Sequence, residues 1–220
     1  MESYVLRVWL PDRPGALGAV ASRIGAVKGD VVGIEILETG QGQAVDELVV
    51  QLPEATLLDL LVNEVRQVDD VEVEEVRPVG PDGHDPRRDT LLTAARLVRA
   101  SDRDELMRMV RDHAPLALSA TWVAVVDVDR GHTLVAGDGA PADPWLSAFV
   151  RGSSSAASLG GVDNGPSDVI WTPLADSGLA VLAGRDRIAW RERERRQLEA
   201  LAEITSIRWA ELADAGAPQS

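Results

Sequence analysis

Tyr4, Leu6, Val8 and Leu10 alternate with Val5, Arg7 and Trp9, a period of two that predicts a strand. Pro11-Asp12-Arg13-Pro14-Gly15 interrupts it. Leu17, Val20, Ala21, Ile24 and Val27 then recur at helical spacing, with Pro14 tolerated at the first helical position and Gly29 expected to end the helix. Two strands follow, Val31 to Glu38 and Ala44 to Leu52, across the polar turn Thr39 to Gln43, with Leu48, Val50 and Leu52 facing the core. Leu57, Leu58, Leu61, Val65 and Val68 return to helical spacing, and Val71 to Val79 is again extended. This order, βαββαβ, predicts a ferredoxin-like domain: a four-stranded antiparallel sheet with two helices on one face and the other face half solvated.

Gly80 to Asp89 carries prolines and glycines but no aliphatic side chain, so 81–89 reads as a linker between a domain at 1–80 and another at 90–213. In the second domain Leu91, Leu92, Ala95, Leu97 and Val98 mark a helix, and Ser101 with Asp104 resembles a capping arrangement before another, which Pro115 should stop. Ala120 to Val128 and His132 to Ala136 form a hairpin, Pro144 to Val150 a short helix, and Val169 to Leu174 with Leu179 to Ala183 a second hairpin. The Gly- and Ser-rich run from Gly152 to Ser167 reads as a mobile loop or lid. A charged helix from about Trp190 to Ala213 precedes a tail, 214–220, expected to be disordered. The whole is α+β.

Composition narrows the function classes. With 22 Lys plus Arg against 36 Asp plus Glu the net charge is −14, which argues against nucleic acid or anionic membrane as partners. The absence of cysteine removes disulfides, thiolate catalysis and thiolate metal sites. No apolar run approaches a membrane span, and the start Met1-Glu2-Ser3 lacks the features of a signal peptide, so a cytoplasmic protein is expected.

The turn from Asp12 to Leu17 suits a small zwitterion. The N–H groups of Gly15, Ala16 and Leu17 fall in a first helical turn, where a carboxylate can dock, and Asp12 can hold an ammonium group. The competing reading is that Asp12 only caps the helix. Asp12-Arg13-Pro14-Gly15-Ala16-Leu17, placed between the first strand and first helix, resembles the D-[RK]-P-G-x-L turn of ACT domains. The resemblance covers residues 1–80 and implies a regulatory module that binds an amino acid at the interface of two copies. Its ligand-binding residues would be Asp12, Arg13, Pro14, Gly15, Ala16 and Leu17, with Asp30, Val31 and Val32 from the other wall. Asp30 stands where the family usually has Asn, which loses a donor and adds repulsion towards a carboxylate. Val32 and Ile34 have the period of inward-facing residues and compete as core. The order of elements in 90–213, with Ala120 to Asp127, Thr172-Pro173-Leu174 and Glu194 to Leu212, resembles a shortened GAF domain, a sensory fold with a central antiparallel sheet.

Other candidate chemistry is weak. His84, His113 and His132 have no convincing nucleophile partner, and Gly152 to Ala156 fails the G-x-S-x-G pattern. Gly137, Gly139 and Ala142 fit G-x-G-x-x-A, but Asp138 and Asp143 would repel a pyrophosphate. Asp127 and Asp129 read as a solvated turn before a metal site. The expectation is a non-enzymatic homodimeric sensor with no catalytic residues, metal or cofactor. The alternative is an adaptor without a ligand that docks on an amino-acid metabolic enzyme or transcription factor.

Overall fold

Strand β1 (Glu2–Pro11) is the centre of the first sheet. It pairs antiparallel with β3 (Gln43–Leu52) and β4 (Glu72–Pro78), while β2 (Asp30–Gly40) lies outside β3, giving the order β2-β3-β1-β4. Helices α1 (Ala16–Ala26) and α2 (Leu58–Val65) make the crossovers. The predicted βαββαβ arrangement is therefore present. Its core follows the two periodicities: Leu6, Val8, Leu10, Leu48, Val50 and Leu52 from the sheet meet Val20, Ile24, Leu61 and Val65 from the helices. In this computed structural model the described residues are 1–80, 83, 85–158, 166–186 and 188–215. The chain divides into two compact units, Met1–His84 with Arg191–Arg193, and Asp85–Trp190 with Glu194–Ser220.

Two expectations for the first sheet fail. The face opposite the helices is not half solvated, since Val5, Arg7, Val45 and Glu47 are all buried. Charge there is tolerated because Arg7 donates to Glu47 Oε1 from Nε at 3.1 Å and Nη2 at 2.7 Å. Val32 and Ile34 are not core, being 50% and 45% exposed, with Ile36 at 52%, although Ile34 and Ile36 pair with Leu48 and Asp46 and so lie on the helix side of the edge strand. The register of β2 on β3 shifts between Val31 and Gly33 and again between Ile36 and Glu38, and such bulges break the strict alternation that the sequence pattern assumes.

The second unit begins earlier than its composition suggests. Helix α3 (Pro86–Leu97) starts inside the segment read as linker, with Pro86 at its first position and the Asp85 carboxylate accepting the Arg88 N–H at 3.0 Å. His84, also in that segment, lies outside the described residues. Helix α4 (Arg103–Leu118) runs through Pro115 instead of stopping there. The missing N–H costs one helical bond, but Ala114, Ala117 and Leu118 are buried and hold the last turn.

Strands β5 (Trp122–Asp127), β6 (His132–Ala136), β7 (Val169–Leu174) and β8 (Leu179–Gly184) form an antiparallel sheet in the order β6-β5-β8-β7. One face, with Val123, Val125, Val181 and Ala183, packs on α3, α4 and α6 (Glu192–Ala215), and Trp190 fills in beside them. The other, with Trp122, Ala124, Val126 and Leu182, packs on Leu146 and Val150 of α5 (Asp143–Ser158). Helix α5 takes in Gly152 to Ser158, so the first half of the expected loop is helical, and 159–165 lie outside the described residues. Helix α6 likewise takes in the first two residues of the expected tail, the remainder being outside the described residues. No helix among the described residues is long and apolar enough to cross a membrane.

Candidate functional site

The chain leaves β1 at Pro11, and Asp12 donates its N–H to the Gly42 carbonyl at 2.9 Å, tying the turn to the β2–β3 hairpin. Gly15 caps α1 with φ 93°, a left-handed conformation that an L side chain adopts only with strain. No side chain caps this helix, which removes the reading of Asp12 as a helix cap. The Ala16 N–H reaches Arg13 O at 3.3 Å, so the expectation that it is free does not hold. Among the described residues the N–H groups of Gly15, Leu17 and Gly18 have no hydrogen-bond acceptor. They form the positive end of the helix. Asp12, Arg13, Pro14 and Gly15 are exposed, Leu17 is half-buried and Ala16 is buried in the core.

A second carboxylate, not singled out in the sequence reading, lies within electrostatic reach of Asp12. Asp46 of β3 is 3% exposed, and its Oδ1 is buried without a hydrogen-bond partner. Burial first, and then the Asp12 charge, push its carboxyl above the ordinary value of 3.8. The signal was available: Asp46 shares the parity of Ala44, Leu48, Val50 and Leu52, the inward-facing set of its strand. An acidic residue in that set is the anomaly.

The predicted second wall lies elsewhere in the chain. Asp30 is paired with Gln51, whereas Gly40 and Pro11 are both paired with Gln43. Asp30 is therefore about 26 Å along the sheet from the Asp12 turn, at roughly 3.3 Å per residue. Asp30 and Val32 are exposed and Val31 is half-buried. One chain does not bring the two walls together.

The remaining candidate chemistry resolves into structure. The Asp127 carboxylate accepts the Arg130 N–H at 2.8 Å, closing a turn. In the glycine-rich stretch the Gly137 N–H bonds to Val123 O at 2.9 Å and the Ala140 N–H to Gly137 O at 3.2 Å. The His113 ring stands 3.3 Å from Arg96 Nη1, and its pKa is lowered by burial and then by that guanidinium. No group of three or more metal-ligating side chains occurs among the described residues.

No protein-family model and no curated protein matches the chain. Among solved structures, the ACT domain of a GTP pyrophosphokinase from Chlorobium tepidum is 16% identical, with a TM-score of 0.29 over 36% of this chain and 100% of that one. An ACT domain protein from Streptococcus pneumoniae is 18% identical, with a TM-score of 0.30 over 35% of this chain and 89% of that one. A protein provisionally described as a glycine cleavage system transcriptional repressor is 9% identical, with a TM-score of 0.33 over 91% of this chain and 90% of that one. The first unit has the βαββαβ order that the resemblance of the Asp12–Leu17 turn to ACT domains implies.

Proposed function

We propose that the chain is a non-enzymatic, cytoplasmic regulatory protein that binds a small amino acid at the Asp12 turn and relays the bound state through a GAF-like second unit to a metabolic enzyme or regulator. The observation that carries this reading is the buried, unpartnered Asp46 oxygen beside Asp12, next to a helix end whose N–H groups are unpaired. Those two charge preferences complement a zwitterion. The α-carboxylate docks on the N–H groups of Gly15, Leu17 and Gly18, and the ammonium group goes to Asp12 and Asp46.

The site is complete in a homodimer. Edge strand β2 presents Val32, Ile34 and Ile36 to solvent, and a twofold pairing of two such strands covers them. In an antiparallel pair the Gly40 end of one β2 lies against the Asp30 end of the other. That pairing brings Asp30, Val31 and Val32 of one copy towards the Asp12 turn of its partner. A ligand bridging both copies favours the arrangement in which its pocket is complete, which is regulation by population shift.

The test is titration calorimetry of the full chain against the twenty amino acids, with sedimentation at each end point. A small amino acid binds and favours the dimer. Asp12→Ala weakens binding about ten- to a hundredfold by removing a charge-assisted hydrogen bond. Gly15→Val weakens it through strain at φ 93°. A monomer that binds no amino acid removes this reading and leaves the ligand-free adaptor.

A further inference from the structure

The second unit contains a cleft of about 670 Å³ that the amino-acid reading does not use. That is the size of a small-molecule site. Its aliphatic lining is Met107, Leu134, Val135 and Leu179, of which Met107 and Leu179 are almost fully buried. Around that floor, in a chain of net charge −14, stand four guanidinium groups: Arg103, Arg108 and Arg111 from α4, and Arg130 from the β5–β6 turn.

Their engagements differ. Arg103 donates to the Trp209 carbonyl at 3.2 Å and lies 4.2 Å from the centre of its indole, which fixes that ring as a wall. Arg130 is committed to Asp127 through its N–H at 2.8 Å and Nη1 at 3.3 Å, which also neutralises that carboxylate. Arg111 grips Asp112 with Nε and Nη2 at 2.6 and 3.0 Å. Among the described residues Arg108 makes no hydrogen bond or ion pair. It is three residues from Arg111, so the two share one helix face, and Met107 lies beside them. Asp104 and Asp176, the remaining carboxylates of the cleft, are exposed and solvated at its rim.

We infer that this cleft binds a small organic carboxylate with an apolar body, its anionic end on Arg108 and Arg111 and its body on Met107, Leu134 and Leu179 against Trp209. The site is separate from the Asp12 turn and does not depend on the reading of that turn. A ligand lacking an ammonium group has no use for Asp12 and Asp46, so the two sites select different molecules.

The test uses the full chain and 4-phenylbutyrate as probe, with 4-phenylbutylamine and inorganic phosphate as controls, in titration calorimetry. The carboxylate binds saturably. The amine does not bind, and phosphate binds at least about tenfold more weakly for want of an apolar body. Arg108→Gln, at an exposed residue that makes no hydrogen bond or ion pair among the described residues, weakens the carboxylate about tenfold or more and leaves the unfolding temperature nearly unchanged. Arg111→Gln acts in the same direction, and Asp12→Ala has no effect on this probe. Absence of carboxylate binding at millimolar concentration, equal binding by Arg108→Gln, or equal binding of the amine or of phosphate would each overturn the assignment.

Discussion

The two units each build a four-stranded antiparallel sheet, yet they close it differently. The first reaches the order β2-β3-β1-β4 through helical crossovers, and its edge strand β2 keeps three apolar side chains in solvent. The second joins two hairpins and packs helices on both faces, so β5 is buried along its whole length. A unit with an open apolar edge has a surface to share with a second copy. A unit closed on both faces keeps its binding capacity in a cleft at the sheet's end. Both units bury an ion pair, Arg7 with Glu47 and Arg185 with Glu194, but among the described residues only the first also leaves a carboxylate oxygen buried without a partner. Asp46 in the first unit has an unpartnered oxygen, whereas Arg185 in the second is held by the Glu194 carboxylate and by the carbonyls of Ile188 and Ala189, under the Trp190 ring.

The largest expected effect lies in the second unit. Glu194→Ala strands the Arg185 guanidinium, which is 7% exposed, and costs about 3–5 kcal/mol. Chemical denaturation should show the second unit unfolding at lower denaturant. An unchanged midpoint would erase the contrast in polar burial. Next comes Gly184→Val. A Cβ there would lie 2.2 Å from Trp122 Cζ2, so β8 and the indole must part, at about 1–3 kcal/mol by the same measurement.

The third effect is a slope. Because the Asp46 carboxyl is raised above 3.8 in the folded chain, that chain holds more protons than the unfolded one between 3.8 and the raised value. This group's contribution therefore becomes less favourable as pH rises through that window, and the penalty is complete above it. Asp46→Asn removes the penalty, so thermal unfolding at neutral pH should shift upward, the gain vanishing in acid, while amino-acid affinity falls. A gain that grew in acid would reverse the assignment. The smallest effect is Arg23→Ala. Its pair with Glu64, 3.0 Å apart, has the Arg23 side chain 43% exposed, and its loss should change stability by under about 1 kcal/mol.

Much of the first unit was legible because its periods are clean. The inward residues of β1 and β3 and the helical stripe of α1 specify one sheet face and the helices that cover it. The Asp12 turn was legible for a related reason, since Pro14 and Gly15 impose backbone conformations that few other residues supply. In the second unit the hairpins were visible from their valines and turn residues. Helix ends were misread where Gly, Ser or Pro was taken as a breaker, in α3, α4 and α5. Pro86 suits the first turn of α3, and in α4 the buried Ala114, Ala117 and Leu118 offset the cost of an interior proline, about 3 kcal/mol.

The order of elements, the parity of the strands and the chemistry of one turn all depend on residues close together in the chain, and so can be read from local patterns. Which strand is an edge, and hence the exposure of Val32 and Ile34, was set only by the folded arrangement. It alone brought Asp46 within reach of Asp12 and set the β5–β6 turn beside α4 to make the arginine-lined cleft. Those facts depend on contacts between distant segments, and local periodicity carries no information about which distant segment arrives.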